Sequence, residues 1–286
     1  MKLKLIALAA MLAAGSAHAK VGDSNDYAPN GGDLFASVWS VSQNASYTVD
    51  LGLTMDQFLA GNVNADGVKL VWDFRNNSFT DMSAVASGIS LTQTLNYGGI
   101  YNLFATPGVA GAADLKFDVK AMDGTPTFAP GAGTNRYLST SFANSISATN
   151  GQVFNMDNWD VAINASNIDT TDSTHGSDLN VAGANMFNSG DSVNVNVPVH
   201  GDQWKGAVSF NSTGSVNDTL NFYFLTNSNS TAAQQAIVTK FAGQFSFNDG
   251  VLTYATAPVP EAETYAMMLA GLGLVGFMAA RRRKLA

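Results

Sequence analysis

An all-β body carrying an export signal at one end and a hydrophobic helix at the other is what this chain predicts. Three observations carry that expectation. Only 13% of the 286 residues are charged, against about 25% in an average soluble protein, while 46% are hydrophobic. Between residues 20 and 258 every acidic residue is an aspartate, and Asn, Ser, Thr and Gly crowd the same span. These residues disfavour helices and favour turns. Apolar and polar residues also alternate with period two in several places, as half-buried strands require. The fold class expected is an antiparallel β-sandwich or a jelly-roll-like body, with an N-terminal signal peptide and a single C-terminal hydrophobic helix.

The bulk numbers exclude several functions. The chain has no cysteine, so disulfide scaffolds, zinc-thiolate sites and thiol nucleophiles are ruled out. The net charge is −8, and the span 20–258 holds eight basic and twenty acidic residues. That balance argues against nucleic acid as a partner.

The first nineteen residues read as a signal peptide. Lys2 and Lys4 precede an apolar run over 5–14, and Ala17-His18-Ala19 places small residues, Ala17 and Ala19, where signal peptidase reads them. The run is about half the ~20 residues a membrane span needs, so cleavage after Ala19 is expected.

The body, 20–256, follows. Leu115-Lys116-Phe117-Asp118-Val119-Lys120 alternates strictly, and the valines of Val193-Asn194-Val195-Asn196-Val197-Pro198-Val199 share one face. Pro198 on the outward face suggests an edge strand. Further strands are expected over 35–42, 46–53, 68–75, 159–164, 204–210, 220–226, 241–247 and 251–255. Asn248-Asp249-Gly250 is a strong hairpin turn. Short helices are expected at 54–60 and 231–240. Residues 121–134 form a long loop or crossover, and 164–180 is a second polar stretch. One large sandwich accommodates the body; two smaller ones, divided near 121–134, are the alternative.

The last segment, 257–286, has three parts in order. Pro260-Glu261-Ala262 comes first, then an apolar helix over 265–280 containing Gly271, Gly273 and Gly276, then the basic cluster Arg281-Arg282-Arg283-Lys284. Sixteen apolar residues are short for a span but workable with snorkelling arginines. The cluster sets the orientation, body outside and tail inside. This tail resembles the PEP-CTERM sorting signal of Gram-negative bacteria, with alanine at 262 where the family usually has proline. The resemblance covers about a tenth of the chain and implies transport rather than catalysis. Proteins with this signal are exported, held transiently in the inner membrane, cut near the motif by an exosortase, and delivered to the cell surface or the exopolysaccharide matrix, where they are associated with biofilm. Signal peptidase and exosortase are thus the implied partners, with exopolysaccharide a further one.

Candidate sites within the body are weaker. Asn62, Asn64 and Asp66, ahead of Gly67, resemble the start of a calcium loop with Asp73 at its twelfth position. A tight Asp-Gly hairpin explains the same residues. Asp169, Asp172, His175 and Asp178 supply ligand atoms close together in sequence, as does any hydrated polar loop. Calcium is the one cofactor these residues suggest; otherwise none is expected. Gly22-Asp23-Ser24 superficially resembles a lipase nucleophile motif, but Ser24 would be the fifth residue of the mature chain, far from any strand-to-helix elbow. His200 has no evident partner. Trp39, Trp72, Trp159 and Trp204, with Tyr47 and Tyr137, are candidates for stacking on sugar rings, or for the core. No catalytic motif emerges. The expectation is a non-enzymatic surface or matrix protein; the alternative is a carbohydrate-active enzyme or carbohydrate-binding module on a jelly-roll scaffold.

Overall fold

The alternating segments do become strands, and their pairing decides the architecture. The structure, a computed structural model, describes residues 32–40, 45–91, 95, 101–102, 105, 115–123, 135–156, 177–181, 203–204, 208–257 and 272. The strands among them are β1 (Asp33–Ser40), β2 (Ala45–Thr54), β3 (Lys69–Asp73), β4 (Ser78–Asp81), β5 (Leu115–Asp123), β6 (Arg136–Ser141), β7 (Ser177–Val181), β8 (Gln203–Trp204), β9 (Val208–Ser209), β10 (Gly214–Ser215), β11 (Thr219–Thr226), β12 (Ile237–Asn248) and β13 (Val251–Ala255). Two short helices join them, α1 (Met55–Ala60) and α2 (Asn150–Asn155).

The fold is all-β, but the described strands link into one sheet where two facing sheets were expected. Its order is β4-β3-β13-β12-β11-β6-β5-β1-β2-β7, with β10 added beside β5, and only the β8-β9 hairpin stands apart. Every pairing is antiparallel. A sheet this wide accumulates twist and curls. Its near-terminal strands meet through side chains. Trp72 Nε1 on β3 donates to Leu51 O on β2 at 2.9 Å, and the Tyr47 and Phe74 rings lie 5.8 Å apart. The result is a half-barrel around one apolar interior.

That interior takes alternate residues from each strand: Ala36 and Val38, Tyr47 and Val49, Leu70 and Trp72, Phe117 and Val119, Phe245 and Phe247 among them. α1 closes it. Thr54 caps the helix in a reciprocal box with Gln57, so the turn nucleates as 54–60 suggested. The helix carries Phe58 into the centre, edge-on to Phe222, Phe241 and Tyr254 at 5.4, 5.4 and 5.3 Å. Such pairings add about 0.5–1.5 kcal/mol each beyond burial.

Turn chemistry behaves as expected at 248–250. Asp249 and Gly250 both have positive φ, 44° and 77°, the two-residue hairpin between β12 and β13. Residues 121–123, expected in a loop over 121–134, instead end β5, which pairs directly with β6, Asp123 opposite Arg136. Arg136 binds both Asp123 and Asp56 of α1, the latter at 2.6 Å, and so fastens this hairpin to the helix.

Other expectations need correction. Residues 231–240 do not form a helix: Ile237-Val238-Thr239 open β12 instead, pairing with β11. Their β-branched stems suit the sheet better than a helix. The polar stretch 164–180 conceals the start of β7, where Leu179 and Val181 alternate with Asp178 and Asn180. Residues 204–210 give two two-residue strands rather than one long one. β4, β6 and α2 were not anticipated. The segments 159–164 and 193–199 lie outside the described residues.

Candidate sorting and processing site

The tail leaves the body beside a clamp made by the loop before β3. β13 lies between β12 and β3, in the interior of the sheet order. The two residues after it remain tied. Thr256 N donates to Val68 O at 3.0 Å, and Thr256 Oγ1 donates to Ala65 O at 2.8 Å while accepting from Val68 N at 3.0 Å. Gly67 N donates to Ala257 O at 2.9 Å. Gly67 has φ +83°, a conformation costly for a residue with a Cβ, which lets its amide reach the departing strand.

The residues that suggested a calcium loop build this clamp. Asn64 Oδ1 accepts from Ala242 N at 2.8 Å, and Asn62 N donates to Ser87 O at 2.6 Å. Tyr254 OH donates to Val63 O at 3.1 Å. Asp66 is exposed. Asp73 sits at the far end of β3, about 13 Å along the strand from the loop. Its carboxylate there accepts from Arg75 Nε at 3.2 Å and Asn76 Nδ2 at 2.7 Å. Partial burial pushes the Asp73 carboxyl up, but those hydrogen bonds win and hold it below its ordinary value. The loop and Asp73 are therefore not brought together. Among the described residues no three His, Cys, Asp or Glu side chains gather as a metal ion would need.

The other sequence candidates are placed as follows. Asp178 lies on β7, opposite Thr48 of β2. Asp169, Asp172 and His175 lie outside the described residues, as do Ala17, Ala19, Pro260, Glu261, Ala262 and the cluster Arg281 to Lys284. Of the expected apolar helix only Leu272 is described, helical and exposed. Among the described residues no helix is long and apolar enough to cross a membrane. Trp39, Trp72, Tyr47 and Tyr137 are buried, at most 4% exposed, so they serve the core and cannot stack on a sugar. The residues missed from sequence were Thr256 and Ala257. Val251-Leu252-Thr253-Tyr254-Ala255 is legible as a strand and forms β13, but its partner loop is about 190 residues away in sequence.

One charged pair is sealed in the body. Asp118 and Lys120 share a face of β5, Oδ2 to Nζ 2.6 Å, both side chains fully buried. Burial pushes the Asp118 carboxyl up, opposed by Lys120. Sealed in this way, the pair offers no surface to a substrate.

Residues 258–284 match the PEP-CTERM protein-sorting motif. The match begins at the residue after Ala257, which is hydrogen-bonded to the clamp. The motif marks the chain as an exported protein sorted by an exosortase, processed in passage through the membrane. No curated protein and no solved structure matches the chain.

Proposed function

We propose that the body is a non-enzymatic surface or matrix module, exported by its signal peptide, held transiently in the inner membrane by the segment 265–280, and released when exosortase cuts near Pro260. The released body then associates with exopolysaccharide at the cell surface or in a biofilm. The observation that carries this reading is the seam between β13 and the sorting motif. Thr256 and Ala257 are hydrogen-bonded to the body, and the matched motif starts directly after them, at residue 258. A cut at or beyond Pro260 leaves β13 and the hydrogen bonds of Thr256 and Ala257 in the released body. Proteolytic enzymes need accessible backbone at the point of the cut.

Mass spectrometry of the protein recovered from the host's surface or medium tests the proposal. The mature chain is expected to begin at Lys20 and to end near Pro260. Recovery of chains still bearing Arg281 to Lys284 would mean a permanent single-pass anchor instead.

A further inference from the structure

The terminal strand β4 borders an open groove of about 530 Å3, within the range of small-molecule sites, about 300–1,000 Å3. Its floor is Phe79 with Ile89, Leu91 and Leu95, and its rim is Asn77, Ser78 and Ser90. Among the described residues no ionisable side chain lines it.

Both walls are held in place. Phe79 is half-buried and packs on its cross-strand partner Trp72, ring centroids 5.1 Å apart, and Trp72 is fixed in turn by Leu51 O. The opposite wall is lashed through the segment 81–89. Asp81 accepts from Ser83 N and Ser87 Oγ, and Ser87 Oγ accepts from Ile89 N at 3.0 Å. Leu91 and Leu95 lie against Gly52, where a Cβ would come within 2.8 Å of Leu95 Cδ2, so this glycine permits the wall its position.

The chemistry of the lining selects a ligand class. A half-exposed aromatic face takes an apolar ring face, while one amide and two hydroxyls exchange hydrogen bonds with hydroxyl groups. Among the described lining residues there is no cation to attract a carboxylate, sulfate or phosphate. Arg75, the cation nearest in sequence, is held by Asp73 and Asp249. We propose that this groove is a subsite for a neutral sugar ring of an extracellular polysaccharide, stacked on Phe79 and hydrogen-bonded by Asn77, Ser78 and Ser90. The inference deepens the reading of the body as a polysaccharide-associated module and rests on its export for access to the ligand.

Affinity electrophoresis of the protein as secreted by its host tests it, in gels containing neutral glucans, mannans or galactans, or an acidic polysaccharide. At least one neutral polymer is expected to retard the protein. Phe79→Ala and Ser90→Trp are each expected to weaken that retardation at least tenfold. Ser90 is exposed, so the tryptophan blocks the groove from outside without disturbing the core. Migration unaffected by every neutral polymer overturns the subsite, as does a Ser90→Trp protein retarded like the wild type, or retardation by the acidic polymer alone. A protein that is exported but unretarded defeats the groove and leaves the sorting intact. A protein retained in the cytosol whose purified form is retarded does the reverse.

Discussion

The outward face of the half-barrel is two different surfaces. Over β1, β2, β5 and β6 the outward residues are shut away: Ser37, Trp39, Thr48, Asp50, Asp118, Lys120, Tyr137, Ser139 and Ser141 are all buried. Part of the cover is a second apolar cluster in which Val153 of α2, Met156 and Phe210 pack on Phe35, Tyr137, Tyr223 and Leu225. Over β12, β13, β3 and β4 the outward residues Ala242, Gln244, Ser246, Val251, Thr253, Lys69, Val71 and Thr80 are exposed or half-exposed. Ser, Thr and Lys occur on both surfaces. What separates them is whether another part of the chain lies on top. Side-chain identity on an outward strand position therefore says little about its energetic weight, and the same substitution should act very differently on the two halves.

The largest contrast lies within the bare half, at its end. Ending the chain after Asn248 removes β13 and separates β12 from β3, and no cooperative unfolding transition is expected in urea. Ending it after Ala257 keeps every clamp hydrogen bond and should change stability by less than about 0.5 kcal/mol.

On the covered half, Lys120→Met leaves the Asp118 carboxylate buried without its 2.6 Å partner. Urea denaturation should show a loss of about 3–5 kcal/mol, whereas Asp118→Leu with Lys120→Met should be neutral or stabilising. Equal costs for the single and the double change would mean that the pair's weight lies outside its own attraction.

A matched pair addresses the comparison itself. Ser37→Lys on the covered half forces a charge into a site 1% exposed and should cost several kcal/mol. Thr253→Lys on the bare half should stay within about 0.5 kcal/mol. Similar effects at the two sites would abolish the distinction.

Between the halves, Gly243 on β12 lies under Tyr254, and a Cβ there would collide with the ring. Gly243→Ala is expected to cost about 1–3 kcal/mol, since Tyr254 is locked by Phe58, Phe222 and Phe245.

The smallest effect is electrostatic. The folded Asp73 carboxyl titrates below its ordinary 3.8, so its contribution is complete above the unfolded value and is lost as pH falls through the lower folded one. Asp73→Asn should be less stable than the wild type near neutral pH, and the gap should close as pH falls below about 4. A gap independent of pH would remove the charge from the explanation.

Much of this was legible in the sequence because it is local. Strict alternation marked β5, Asn-Asp-Gly marked the hairpin between β12 and β13, and Thr54 with Gln57 capped α1 where a short helix was expected. Where two patterns compete, the local signal failed. Ile237 to Lys240 read as helix because the pairing with β11 is not visible in the segment itself. The candidate site divides in the same way. The tail is a contiguous signal and was read directly, whereas Asn62 to Gly67 carried a ligand-like spelling, yet its Ala65 and Gly67 hold Thr256 and Ala257 while Asn62 and Asn64 bind Ser87 and Ala242.

By itself the sequence determined the strand-rich character, the sorting tail and the absence of thiol chemistry. Each of these is a property of composition or of neighbours within a few residues. Only the tertiary structure decided that the strands join one curled sheet, that Trp39, Trp72, Tyr47 and Tyr137 are core, that Asp118 and Lys120 are sealed together, and that a neutral groove opens at β4. Those outcomes depend on contacts between strands distant in sequence, where burial is conferred by whatever packs above a residue and not by the residue's own side chain.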